Sequence, residues 1–305
     1  MQYNLDQYVS MTKISNRTRI LVEGKDDRAI LRNLLDTLGK SEGVRIDAAV
    51  DLKGTCSVTA KNHRAKVEKI HMQCQGSADH RRLFFLCDRE FRSFRVEGEI
   101  YDEALEHCID GNLFWTLGHS IENYFLSEDV IVEGCRFLCG SGYKSDAVNI
   151  FRKLLEPSIR FIAKVTLAAK TINKSGYPQS VISWEDIEIS PDFSSIDFKR
   201  DVENSDEIYK EFCLAMEGGS AIVEKSGYSE CSRFCRGHTA ILMLRNVFAA
   251  CVYHAANSVD KEAADRDARA FFNVSESALT SALSEAWIRR LTEGVSYPEP
   301  LVVAI

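Results

Sequence analysis

The stretch Arg19-Ile-Leu-Val-Glu-Gly-Lys-Asp-Asp27 decides the fold. A short β-rich apolar run, Thr18 to Val22, stops abruptly in acidic residues. Leu83-Phe-Phe-Leu-Cys-Asp-Arg-Glu90 repeats the form. Uninterrupted apolar runs are the mark of strands buried on both faces of a parallel sheet. Two such strands in one sheet bring Glu23, Asp88 and Glu90 to its carboxyl edge. A carboxylate cluster there has one economical use, which is to hold a divalent cation against a phosphate.

Working outward, Ile30, Leu31, Leu34, Leu35 and Leu38 fall at helical spacing, so Asp26 to Leu38 reads as a helix. Asp26 and Asp27 favour its amino end and Gly39 stops it. Arg45 to Leu52 reads as a second strand, Thr59 to Met72 as a basic helix and Arg82 to Cys87 as a third strand. Tyr101 to Cys108 reads as a helix and Asn112 to Leu117 as a fourth strand. Such alternation predicts an α/β fold, a parallel sheet with flanking helices. After Ser120 the pattern turns mainly helical: Ile121–Leu138, Ser145–Thr171 with an interruption at Pro157, Asp206–Glu217, His238–Ala256 and Ser275–Leu291. Ser175–Ser205 is the least periodic part and reads as a connector, and Pro298 and Pro300 mark a loose or strand-like tail. Gly39-Lys40-Ser41 mimics the end of a phosphate-binding loop, but the glycine that loop requires falls on Leu34 and the triplet follows a helix. It is read as a helix C-cap.

The chain has 305 residues, 45% of them apolar and 27% charged, as in a soluble globular protein. No apolar run of membrane-spanning length and no signal peptide stands out, so a cytoplasmic location is expected. The ten cysteines form no C-x-x-C pair and read as small buried hydrophobes. Cys231-x3-Cys235-x2-His238 has a spacing that can serve zinc, without an evident fourth ligand. A net charge of −7 excludes a protein that grips nucleic acid over its whole surface. Between Lys53 and Arg95, however, ten Lys and Arg face four Asp and Glu, and His63, His71 and His80 join them. The run is either a solvated helix face or a phosphate-binding surface beside the acidic strand end.

Phosphoryl transfer needs charge neutralisation, positioning and a proton carrier. On a strand, residues two apart point the same way, so Asp88 and Glu90 can face one cation. Glu23 can relay a proton or add a ligand. Lys25 and Arg89 can meet phosphate oxygens, with Lys53, Lys61, Arg64 and Arg92 along a polynucleotide backbone. His119 and Glu122 fall just after the fourth strand, where they either support the site or satisfy nearby backbone. Asp27 is either a site acid or a cap. His238 and Arg236 begin a helix, where a histidine is more simply a cap.

Leu21-Val-Glu23-Gly24-x-x-Asp27 with Asp88-x-Glu90 resembles the Toprim domain of topoisomerases, primases and related nucleases. Its motif is a glutamate ending the first strand and Asp-x-Asp ending the third, so Glu90 departs from it by one methylene. His119-Ser-Ile-Glu122-Asn123-Tyr-Phe-Leu, with Arg236-Gly-His238, resembles a bacterial Toprim family encoded beside AAA-type ATPases. The layout is most similar to the Toprim effectors of PARIS anti-phage defence systems. The resemblance implies a Toprim-like catalytic domain over 15–120 and a mainly helical region over 121–305 for dimerisation, substrate clamping or partner docking. It implies a homodimeric endonuclease using Mg2+ or Mn2+, with Glu23, Asp27, His119 and Glu122 as catalytic residues and Glu23, Asp88 and Glu90 as metal ligands. It further implies restraint by an AAA-type ATPase partner, with tRNA as target. A DNA substrate, or a non-catalytic adaptor for the ATPase, is the alternative.

Overall fold

The computed structural model describes residues 3–200 and 205–305. In chain order its elements begin with α1 (Leu5–Lys13), β1 (Thr18–Val22), α2 (Lys25–Thr37), β2 (Val44–Ala48), α3 (Ser57–Lys61) and α4 (His63–Cys74). Five strands follow: β3 (Leu83–Cys87), β4 (Phe94–Val96), β5 (Ile100–Asp102), β6 (Ile109–Asp110) and β7 (Leu113–Trp115). Then come α5 (Glu128–Leu138), α6 (Lys144–Thr171), α7 (Pro178–Val181), β8 (Ile187–Ile189) and β9 (Ile196–Phe198). The remainder is α8 (Glu207–Lys225), α9 (Tyr228–Phe234), α10 (Gly237–Ala256), α11 (Lys261–Phe272), α12 (Glu276–Arg289) and α13 (Glu299–Ala304).

These elements form two units. The first runs to Glu90, resumes over Ala104–Ile121 and takes back Ser296–Ile305; the second holds Phe91–Glu103 and Glu122–Val295. The change near residue 121 matches a break between an α/β and a helical region. The departure of 91–103 and the return of 296–305 differ from the contiguous reading of 15–120 and 121–305.

In the first unit a five-stranded sheet runs β2-β1-β3-β7-β6, parallel except for the edge strand β6. Leu21, Leu83, Phe85, Cys87, Leu113 and Trp115 share one face and pack with Leu5 and Tyr8 of α1 and Val67 and Ile70 of α4. Fully burying a Leu or Phe side chain stabilises a fold by about 1.5–3 kcal/mol, so these residues anchor both helices. The alternate residues Ile20, Val22, Phe84 and Leu86 are buried as well, so β1 and β3 are covered on both faces. Helix α2 packs on β1 and β2. It ends in a Schellman motif: Gly39 takes φ +66°, its N–H meets the Asp36 carbonyl at 3.2 Å, and the Lys40 N–H meets the Leu35 carbonyl at 2.8 Å. The Gly39-Lys40-Ser41 triplet is thus the cap expected of it.

The second unit is helical, with α6 packed against α5, α8, α9 and α10, α11 on α10, and α12 on α5. Helix α6 continues through Pro157 rather than breaking there. The proline removes one amide donor, while buried Leu154, Leu155, Ser158 and Ile159 hold the turn in place. Tyr101–Cys108 is not a helix. Ile100–Asp102 pairs antiparallel with Phe94–Val96, and the chain then proceeds to β6. The connector 175–205 contains α7 and the β8–β9 hairpin; residues 201–204 of it lie outside the described residues. The tail is helical, because Pro298 and Pro300 stand at the start of α13, where a missing amide costs nothing. Among the described residues α10 is the one helix long and apolar enough to cross a membrane, and 72% of its most apolar stretch is buried inside the protein. A core helix passes that test for this reason.

Candidate metal centre and a second carboxylate cluster

Because β1, β3 and β7 are parallel, the residues that follow them meet at one edge of the sheet. Glu23 follows β1, and its Oε1 accepts the Asp88 N–H at 3.0 Å. Asp88 follows β3, and its Oδ1 accepts the Ile121 N–H at 3.2 Å. The Glu90 N–H donates to the His119 carbonyl at 2.7 Å. Three strand ends are stitched together through two of the predicted acids.

The Glu23 carboxyl is pushed up to about 8. Burial is the main cause, and the neighbouring Asp27 and Glu90 charges add to it against the Asp88 amide and Arg64. A carboxyl raised toward neutral pH at a sheet edge makes Glu23 a candidate proton carrier.

Glu90 departs from the expected geometry. Strand β3 ends at Cys87, so the two-residue alternation does not extend to Asp88 and Glu90. Glu90 takes φ +50°, is exposed, and pairs with Arg64 of α4. Asp27 acts as a cap, its Oδ2 accepting the Gly24 N–H at 2.7 Å while it also raises Glu23. His119 is buried, and its backbone carbonyl makes the bond to Glu90.

Among the described residues, no group of three or more His, Cys, Asp and Glu side chains converges as metal ligands. Glu23 and Asp88 fit a hard divalent cation in donor chemistry, and one or two carboxylates are what magnesium usually takes from a protein. Glu90 falls outside that pair.

The expected cationic surface divides. Lys53 and Lys61 are exposed, and Lys25 lies 3.9 Å from Asp51. Arg64 faces the acids. Arg89 is 1% exposed, which removes it from any polynucleotide interface, and its backbone N–H donates to Thr116 Oγ1. Lys66 is also lost from the surface, its ammonium donating to the carbonyls of Ala49 and Leu52. Arg92 is exposed but belongs to the second unit.

In the second unit Glu122 is buried, and its Oε1 lies 3.8 Å from His238 Nε2. Glu276, at the start of α12, meets His238 Nδ1 at 2.5 Å. Burial pulls the imidazole pKa down, but Glu122 and Glu276 outweigh it, so the net direction is up. Sequence reasoning missed Glu276 because nothing local links α12 to α10. The available signal was His238 itself, since a cation in a first helical turn opposes the helix dipole and calls for a carboxylate. Asn123 is structural: its Nδ2 donates to the carbonyls of Ser232 at 2.6 Å and Cys235 at 2.9 Å, closing the end of α9. Cys231 and Cys235 are buried thiols, Cys231 pushed up to about 11, and with His238 turned to Glu276 they do not form the zinc set their spacing allows.

No family model matches the chain, and no curated protein matches it significantly.

Proposed function

We propose that this protein is a metal-dependent endonuclease. The observation that carries the reading is Glu23, half-buried at the carboxyl edge of a parallel sheet, raised to about 8 and hydrogen-bonded to the Asp88 amide. Glu23 and Asp88 would hold the cation, which when bound neutralises charge on a scissile phosphate. When it is not bound to the cation, the Glu23 carboxyl, raised toward neutral pH, can give or take the proton of the reaction. The Asp88 carboxylate is oriented by the Ile121 amide, and exposed Lys53 and Lys61 supply positive charge for the polynucleotide backbone.

The resemblance to Toprim effectors of anti-phage defence supports tRNA as the target, a homodimer as the working form and an AAA-type ATPase partner as the restraint. A second reading, a non-catalytic adaptor of such an ATPase, is favoured by the absence of a converged three-donor group among the described residues. Cleavage of total tRNA and of plasmid DNA, with Mg2+ and with EDTA, decides between them. The nuclease reading expects Mg2+-dependent cleavage that Glu23→Ala abolishes; equal cleavage by the variant overturns the mechanism. No cleavage of either substrate by the parent favours the adaptor.

A further inference from the structure

We propose that Arg64 is a latch on the acid cluster: its guanidinium holds Glu90 away from Glu23 and Asp88, and a divalent cation gains Glu90 as a ligand only when Arg64 lets go. The inference rests on the metal-centre reading above and adds to it a control element.

The argument is geometric. Glu90 takes φ +50°, a region that non-glycine residues enter at a cost, and its amide is fixed to the His119 carbonyl at 2.7 Å. With the backbone so turned, its carboxylate pairs with the Arg64 guanidinium. Arg64 sits in the first turn of α4, which has no acidic residue of its own, and a cation there opposes the helix dipole. Acids from elsewhere balance it: Glu68 Oε1 lies 3.8 Å from its Nε, and Glu23 acts on it together with Glu90. Its Nε–H is buried without an acceptor. The guanidinium is thus fixed on its Glu90 side, where Nη1 donates to the carboxylate, and left unsatisfied at Nε.

An arginine cannot lose its proton, so it cannot stand aside by neutralising. A divalent cation at Glu23 and Asp88 repels it and attracts Glu90. The cluster therefore has two exclusive arrangements, one with Glu90 on Arg64 and one with Glu90 on the cation. This explains why Asp88 and Glu90, two residues apart after one strand, face different partners.

The test is Mn2+ binding to the full chain, with free ion followed by electron paramagnetic resonance and folding checked by circular dichroism. Arg64→Met removes the latch charge but keeps much of the stem, and Arg64→Gln is a second neutral variant with a polar end. Both are expected to bind Mn2+ at least about ten-fold more tightly than the parent, and Arg64→Lys to stay near it. Adding Glu90→Gln to Arg64→Met should erase the gain. Neutral variants that bind no tighter than the parent overturn the latch; if Asp88→Asn still abolishes parental binding, the metal centre stands without it. If folded parent and variants all fail to take up Mn2+ at millimolar concentration, the metal-centre reading falls and the latch falls with it.

Discussion

The ends of β1 and β3 carry the same signature, an apolar run broken by an acid, yet their outer acids reach opposite states. Glu23 is drawn inward, bonded to the Asp88 amide and raised to about 8. Glu90 is turned out by a left-handed backbone and tied to Arg64. The difference teaches that side-chain alternation lasts only as long as the strand. Glu23 follows directly on β1, where the inter-strand contacts still fix its direction. Glu90 lies three residues beyond the last residue of β3, where local backbone and α4 decide.

The largest expected effect breaks or sharpens that asymmetry. Glu23→Ala should lower Mg2+-dependent cleavage by about 10²–10⁴-fold, the range for losing a positioned acid or base. Glu90→Gln should cost only about ten-fold, since Glu90 would join the Glu23–Asp88 pair as an added ligand only after Arg64 releases it. Cleavage rates on one RNA substrate measure both, and equal losses would erase the distinction between the two strand ends.

The sheet was legible in the sequence because buried parallel strands need continuous apolar side chains, and Ile20–Val22 and Leu83–Cys87 have them. Helix α2 was legible through its period and its glycine stop. The β4–β5 hairpin was not. Tyr101, Ala104, Leu105 and Cys108 fall at helical spacing, but Ile100–Asp102 satisfies its backbone against Phe94–Val96 across a loop containing Gly98. Turn chemistry and pairing overrode periodicity there. At the site, residue types identified Glu23 and Asp88, whereas Arg64, Glu68 and Glu276 were not legible as partners because tertiary packing, not spacing, brings them in. Arg89 shows the converse, a cation next to an acid in sequence that the fold buries.

The second test of the comparison is thermodynamic. In the fold Glu23 keeps its proton up to about pH 8, whereas a free carboxyl of its kind loses it near 4.5. The folded state therefore binds more protons between those values, and stability falls as pH rises through that window. Glu23→Gln removes the penalty and should be the more stable protein at pH 9 in EDTA, by on the order of 1–3 kcal/mol, with little difference at pH 4. Chemical denaturation at the two pH values measures it. A pH-independent difference would mean that Glu23 is ionised like an exposed acid.

Asn123 offers a contrast from the second unit, a polar residue of the same sequence signature that serves structure. Asn123→Ala leaves the carbonyls of Ser232 and Cys235 without their amide donor. A loss of about 1–3 kcal/mol, read by denaturant unfolding, is expected. If Asn123→Ala abolishes cleavage at unchanged stability, its role is chemical after all.

The smallest effect belongs to His238, whose raised pKa gives the same fall of stability with rising pH, but through a favourable partnered charge rather than a penalised one. The imidazolium gains Glu122 and Glu276 as partners on folding, so its contribution is fully present below an ordinary histidine pKa of 6.5 and fades as pH rises through the folded value. His238→Gln should therefore lower the melting temperature at pH 6 and leave it near the parent's at pH 9. The ring is half exposed, so after the discount for solvent screening the shift at pH 6 is about 1–2 °C. Scanning calorimetry at the two pH values separates this from a packing defect, which would lower both melting temperatures equally. The two acid clusters would then lose stability in the same direction of pH by opposite charge changes: the first unit as a carboxyl is forced to ionise, the second as an imidazolium is forced to discharge.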